Sequence, residues 1–166
     1  ARSQVKDGRA STMSESLFSM LMRVRPGNFP EQIVYEDEKV MAFLDKFPQV
    51  DGHTLVVPKE QVEKVHEMSG ETAAAVGAAL SKVAAKVVAA TGCADYNVIC
   101  NNGKISGQEV PHVHFHIIPR REGDYTSSWA KSIEENRATG NPRPEKLPDE
   151  GAFTGKLATM RDAIRS

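Results

Sequence analysis

The segment HVHFHII, residues 112–118, constrains this chain more than any other stretch. Histidine stands at alternate positions, and apolar residues fill the places between. A β-strand points successive side chains to opposite faces. The segment therefore predicts a strand carrying His112, His114 and His116 on one face and Val113, Phe115 and Ile117 on the other. Same-face neighbours on a strand lie roughly 6.6 Å apart, so three imidazoles come within reach of one small ligand. Three of the chain's five histidines fall in this alternation, which argues against a polar face that merely happens to be histidine. Imidazole is also a zinc and copper ligand. Three ligands from one flat strand diverge too far to converge at the ~2.0–2.1 Å of a zinc–nitrogen bond. No Cys, Asp or Glu lies at a spacing that completes the shell. A third reading, beside the polar face and the metal site, is attack on phosphorus by a neutral ring nitrogen, with neighbouring rings orienting it and stabilising charge. An ordinary pKa of ~6.5 lets imidazole take either part near neutral pH.

The rest of the chain supplies an α+β framework for that strand. SESLFSMLMRV, residues 14–24, reads as a short helix capped by Ser14 or Ser16. RPGNFPE breaks it with Pro26, Gly27 and Pro30. QIVYED and KVMAFLD are β-rich runs meeting around Asp37 and Glu38 as a hairpin, and HTLVVP is a third strand closed by Pro58. Residues 69–92 are the clearest helix. Ser69 caps it, Glu71 sits in its first turn, Val76, Leu80, Val83 and Val87 recur at helical spacing, and Gly92 ends it. DYNVICNNG is a fourth strand and VPHVHFHIIPR the fifth. The expectation is a largely antiparallel five-stranded sheet with one long helix and a short N-terminal helix. Residues 1–13 read as a disordered tail, 14–120 as the domain, and 121–166 as a loop-rich extension ending in a short amphipathic helix.

Size and charge narrow the function classes. A chain of 166 residues forms one domain plus some tail and needs neither disulfides nor a structural metal to fold. A net charge of −1 provides no field for long nucleic acid or an anionic membrane. No apolar run approaches the ~20 residues of a bilayer span, and ARSQVKDGRAST has no apolar segment of the kind a secretory signal carries. Cys93 and Cys100 read as two reduced thiols, which fits the cytoplasm, with the nucleus as a second compartment.

The alternating segment lies within GQEVPHVHFHIIPR. Together with VICNNG, MAFLDKFPQVDGHTLVVPK and the N-terminal helix, it resembles the histidine triad nucleotide-binding family over roughly residues 16–120. That resemblance implies that His114 attacks the α-phosphate of a nucleotide and forms a nucleotidyl-histidine that water resolves. It places His116 beside the phosphate and gives His112 an orienting role. A main-chain carbonyl would fix the tautomer of His114, and His53 would sit near the triad. Asp45 would accept hydrogen bonds from the ribose hydroxyls. Phe43, Leu44 and Phe18 would line the base slot, and Asn101 the phosphate or ribose side. Gly107 and Gln108 would approach the phosphates, glycine letting backbone N–H groups come close. His66 and Asn102 match nothing in the pattern, and Tyr125 and Trp129 either cover the pocket or anchor a loop to the sheet.

Two departures stand out. Many family members place Ser or Thr after the Gly-Gln pair, where this chain has Glu109. A carboxylate there repels phosphate unless it turns away or pairs with a cation such as Arg120. A zinc-bearing branch has Cys-x-x-Cys where this chain reads SLFS, and Ser16 and Ser19 cannot hold zinc, so no metal and no cofactor are expected. The implied substrate is a purine nucleoside phosphoramidate, AMP joined to an amine through P–N. Diadenosine polyphosphate hydrolysis is the alternative, because PRREGDY is similar to that branch. A nucleotide-binding regulatory protein with little turnover is the second alternative. A branch that removes AMP from damaged DNA ends carries an added nucleic-acid module of basic character, which this chain lacks. The resemblance also implies a homodimer, with the long helix and the DYNVIC strand of each copy meeting to extend one sheet.

Overall fold

The computed structural model describes residues 14–122 and 150–166. Expectations for residues 1–13, Tyr125 and Trp129 fall outside the described residues. Among the described residues nine α-helices and β-strands follow in order: α1 (Leu17–Val24), α2 (Phe29–Gln32), β1 (Ile33–Glu36), β2 (Val40–Leu44), β3 (Thr54–Pro58), α3 (Gly70–Thr91), β4 (Asp95–Ile99), β5 (Phe115–Arg120) and α4 (Glu150–Arg165). The strands form one sheet in the order β1-β2-β3-β5-β4, every pair antiparallel. This is the expected α+β architecture.

Local chemistry sets the element ends. Ser16 caps α1, its Oγ accepting from Ser19 N at 3.0 Å. The Asp37 carboxylate turns the β1–β2 hairpin by accepting from the N–H groups of Lys39 and Val40 at 2.9 and 2.7 Å. Ser69 Oγ accepts from Thr72 N at the start of α3, and Gly92 closes it in the left-handed conformation at φ 67°. α2 was not expected, since Pro30 looked like part of a break. Its place in the first turn of α2 costs no hydrogen bond, because first-turn N–H groups have no intrahelical partner.

Alternation along the strands divides the core in two. Ala42, Leu44, Val56 and Ile117 face α3 and pack with Val76, Val83 and Val87. Met41, Phe43, Leu55 and Val57 face the other way and pack with Phe18 of α1 and Phe29 of α2. α3, at 22 residues, is apolar enough to cross a bilayer by length and composition alone, contrary to the sequence expectation. Here Val76, Ala79, Val83, Ala84 and Val87 are buried within the domain instead. α4 is also longer than the short helix expected, with 16 residues. It packs on α3, α2 and β1. Ile164 is wholly buried in the α3-side core, so the end of the chain helps to build the domain.

One strand differs from the expectation in a way that matters for the site. β5 begins only at Phe115; His112 lies in a bend and His114 outside the strand. Pro111 has no N–H for a ladder, and the N–H of Val113 bonds instead to Val62 O at 2.8 Å.

Candidate active site

Four of the five histidines gather on the α1 side of the sheet. His116 is fixed most firmly, since β5 sets it opposite Leu55 of β3 and Ile99 of β4. The ring of His114 stands edge-on to that of His116 at 5.0 Å and to Phe18 at 5.1 Å. His112 meets the same Phe18 ring at 5.9 Å. The three rings therefore share one side, although only His116 belongs to the paired strand.

Hydrogen bonds assign the ring protons. His114 Nδ1 lies 2.7 Å from the carbonyl oxygen of His112. A carbonyl only accepts, so Nδ1 carries the proton, and the neutral ring keeps its lone pair on Nε2. His112 Nε2 donates to Pro58 O at 2.8 Å, and Ser16 Oγ lies 2.7 Å from its Nδ1. The N–H of Gln49 donates to His53 Nδ1 at 3.2 Å, so the proton of neutral His53 is on Nε2. That proton points at His116 Nδ1, 2.9 Å away, leaving the proton of neutral His116 on its own Nε2. The site thus holds an imidazole with a basic Nε2 beside one with a donating Nε2.

Burial favours neutral rings throughout. Desolvation pushes His116 down to about 3, helped by the neighbouring His53 and His114. His53 is also lowered, chiefly by burial, with Asp45 opposing and Arg120 and His114 adding to it. His112 is lowered by burial against the pull of Pro58 O. For His114, burial outweighs the His112 carbonyl, Asp45 and Glu109, all of which favour the charged ring.

Some expected residues stand differently from their sequence reading. His112 has no exposed surface and both its nitrogens are engaged by protein, so it cannot touch a ligand. The expectation of three imidazoles around one ligand is therefore corrected to two. Leu44 is corrected as well: period-two alternation turns it into the α3-side core, away from Phe18 and the triad. Phe43, its neighbour, shares the Phe18 side at 5.7 Å between rings. Asp45 Oδ2 lies 3.6 Å from His53 Nδ1, and Oδ1 accepts from Phe47 N at 2.9 Å. Asp45, His53 and His116 place one potential metal-binding atom each within 4.8 Å of one another, a clustering that sequence spacing did not reveal.

Asn101 and Gly107 come together beyond β4, with a Cβ built at Gly107 lying 3.7 Å from Asn101 Nδ2. Gly107 is glycine because its φ is +88°. Its N–H bonds to Lys104 O and that of Gln108 to Gly103 O, both at 3.1 Å. The Gln108 side chain is buried, accepting from Gly103 N and donating to Glu63 O at 2.8 Å. In this conformation the pair shapes the loop. Arg120 Nε donates to Asn97 Oδ1 at 2.8 Å, and Glu109 is exposed at the end of the same loop. Sequence reading also missed Gln61, which binds the first turn of α1 from 42 and 45 residues away.

Comparison with known proteins agrees with this geometry. The HIT domain family model matches residues 26–123. The chain is 38% identical over 130 residues to adenosine 5'-monophosphoramidase hnt1 of Schizosaccharomyces pombe, covering 75% of this chain and 95% of that protein. It is 37% identical over 109 residues to purine nucleoside phosphoramidase of Escherichia coli K12, covering 64% and 88%. Among solved structures, a Hit-like protein involved in cell-cycle regulation from Bartonella henselae superposes with a TM-score of 0.68 at 33% identity, covering 90% of this chain and 94% of that one. By the family model, by these relatives and by its own fold, the chain belongs to the histidine triad, or HIT, family.

Proposed function

We propose that the chain hydrolyses purine nucleoside phosphoramidates, releasing AMP and an amine. The observation that carries this reading is the bond from His114 Nδ1 to the His112 carbonyl, which leaves Nε2 as a neutral nucleophile. Nε2 attacks the α-phosphorus, the P–N bond breaks, and the amine leaves with a proton taken from solvent. Water then attacks the same phosphorus, the bond to His114 breaks, and AMP departs. His116 Nε2–H donates to a phosphoryl oxygen through both steps. Asp45 accepts from the ribose hydroxyls, Phe18 and Phe43 flank the base, and Asn101 serves the phosphate or ribose side. The phosphoramidase names of the relatives support this substrate class.

The negative charge of Glu109 is felt at the His114 ring. It favours a leaving amine over an anionic polyphosphate, which ranks diadenosine polyphosphates second. Side-by-side rates on an AMP–amine phosphoramidate and on diadenosine triphosphate test the choice. The amine substrate is expected to turn over faster by at least about tenfold, and the reverse order would overturn the reading.

A homodimer completes the proposal. β4 is an edge strand whose Tyr96 and Val98 are 42% and 47% exposed. Pairing this edge with a second copy covers them and extends the sheet. The two thiols, Cys93 and Cys100, are free, in keeping with a cytoplasmic protein.

A further inference from the structure

Ser16 joins the helix-capping and histidine networks through one hydroxyl. Its oxygen accepts from Ser19 N at 3.0 Å, capping α1. Its single proton has two acceptors in range, Ser19 Oγ at 3.1 Å and His112 Nδ1 at 2.7 Å. The His112 ring decides between them. With Nε2–H committed to Pro58 O, Nδ1 of the neutral ring bears a lone pair inside a fully buried side chain. A buried acceptor without a donor is destabilising, so the Ser16 proton goes to His112. Ser19 Oγ, 3.5 Å from the same nitrogen, does not compete, because it donates to Gln61 Oε1 at 2.7 Å.

Gln61 holds this arrangement in place. Its Oε1 also accepts from Ser16 N at 3.0 Å, and its Nε2 donates to Ser14 O at 2.8 Å. The first turn of α1, the loop after β3 and the bend before β5 are thus joined at one buried point. From there the path to the nucleophile is short, since the His112 carbonyl receives the His114 Nδ1 proton.

We propose that Ser16, braced by Gln61, is a positioning residue for His114: its hydroxyl fixes the His112 ring, and through the His112 backbone it holds His114 in its Nδ1–H tautomer. The step from tautomer to rate rests on the phosphoramidate reading; the effect on the tautomer does not.

Two variants and two readouts test it. Ser16→Ala removes both cap and donor. Ser16→Gly leaves α1 a favourable N-cap residue but offers Nδ1 no proton. Nitrogen-15 NMR of the imidazoles in the free protein reports the His114 tautomer without any substrate. The parent is expected to show His114 protonated at Nδ1, and both variants a mixture of tautomers. With an AMP–amine phosphoramidate, kcat is expected to fall about tenfold in both while KM stays within about twofold, as for a displaced reacting group. If Ser16→Ala does not fold, Ser16→Gly carries the test alone. A parent-like His114 tautomer with unchanged kcat in either folded variant overturns the inference. A parent with no phosphoramidase activity overturns the function instead, and the tautomer measurement still judges Ser16.

Discussion

On the proposed mechanism His114 attacks phosphorus only while its other nitrogen is held, and the oxygen that holds it belongs to His112, two residues earlier. Replacing His114 with Ala removes the attacking atom. The expected loss in kcat on an AMP–amine phosphoramidate is at least about a thousandfold, the order seen when a covalent nucleophile is deleted. Burial lowers His114, so the neutral ring persists below the usual histidine range. The acidic limb of kcat/KM is therefore expected below pH ~6.5, which a pH–rate profile reads directly. Glu109→Gln removes a charge that favours protonated His114 and repels anionic leaving groups. Exposed charges act with roughly 0.2–1 kcal/mol. The ratio of phosphoramidate to diadenosine triphosphate rates should accordingly fall by about two- to fivefold in that variant. That the rings of His112, His114 and His116 share one side was legible in the sequence through their alternation. The Ser16–His112 contact was not, because it joins residues 96 positions apart and no local pattern encodes such a distance.

Each secondary-structure element shows where local signals suffice. α3 was readable from both ends, because Ser69 and Gly92 act through their own backbone neighbours. α2 was hidden because it has only four residues and carries a proline in its first turn, which punctuates a loop and a first turn equally well. β5 was expected to begin too early, since extended alternation looks the same whether or not its N–H groups find a ladder. α4 is the instructive case. It was expected as a short amphipathic helix ending a loop-rich extension, whereas it runs 16 residues and buries Ile164 wholly beside α3. Ile164→Ala is expected to cost about 2–5 kcal/mol of unfolding free energy, the range for a truncated core aliphatic. Denaturant titration checks it, and a change below about 0.5 kcal/mol, typical of surface sites, would contradict a core role for α4. Gly107→Ala forces a side chain onto a backbone at φ +88°. A modest loss of about 1 kcal/mol is expected there, with a raised KM as the loop beside Asn101 shifts.

The whole molecule carries its pH dependence in the buried histidine cluster. His53, His112, His114 and His116 all lie below the ordinary value, and His116 is pushed down to about 3. In the unfolded chain these rings take up protons near pH 6.5; in the folded protein they do so only at lower pH. Between about 3 and 6.5 the unfolded state thus binds more protons, so stability falls as pH falls. Melting temperatures are expected to hold above pH ~7 and to decline steadily from ~6.5 downward, with a shallower decline in a His53→Asn variant. A melting temperature indifferent to pH across that window would mean the rings are not buried neutral. Assembly is tested at the same scale. Val98→Arg on the exposed edge of β4 is expected to convert a dimer to a monomer in light scattering, and a parent that is monomeric at every concentration would remove the sheet-extension proposal.

The most direct test of the central claim is intact-protein and peptide mass spectrometry after rapid acid-free quenching of the protein mixed with adenosine phosphoramidate. An AMP adduct on His114 that forms within the first turnover and disappears as AMP accumulates is the predicted result. Turnover without any adduct on His114, or an adduct on His116 in its place, would contradict it.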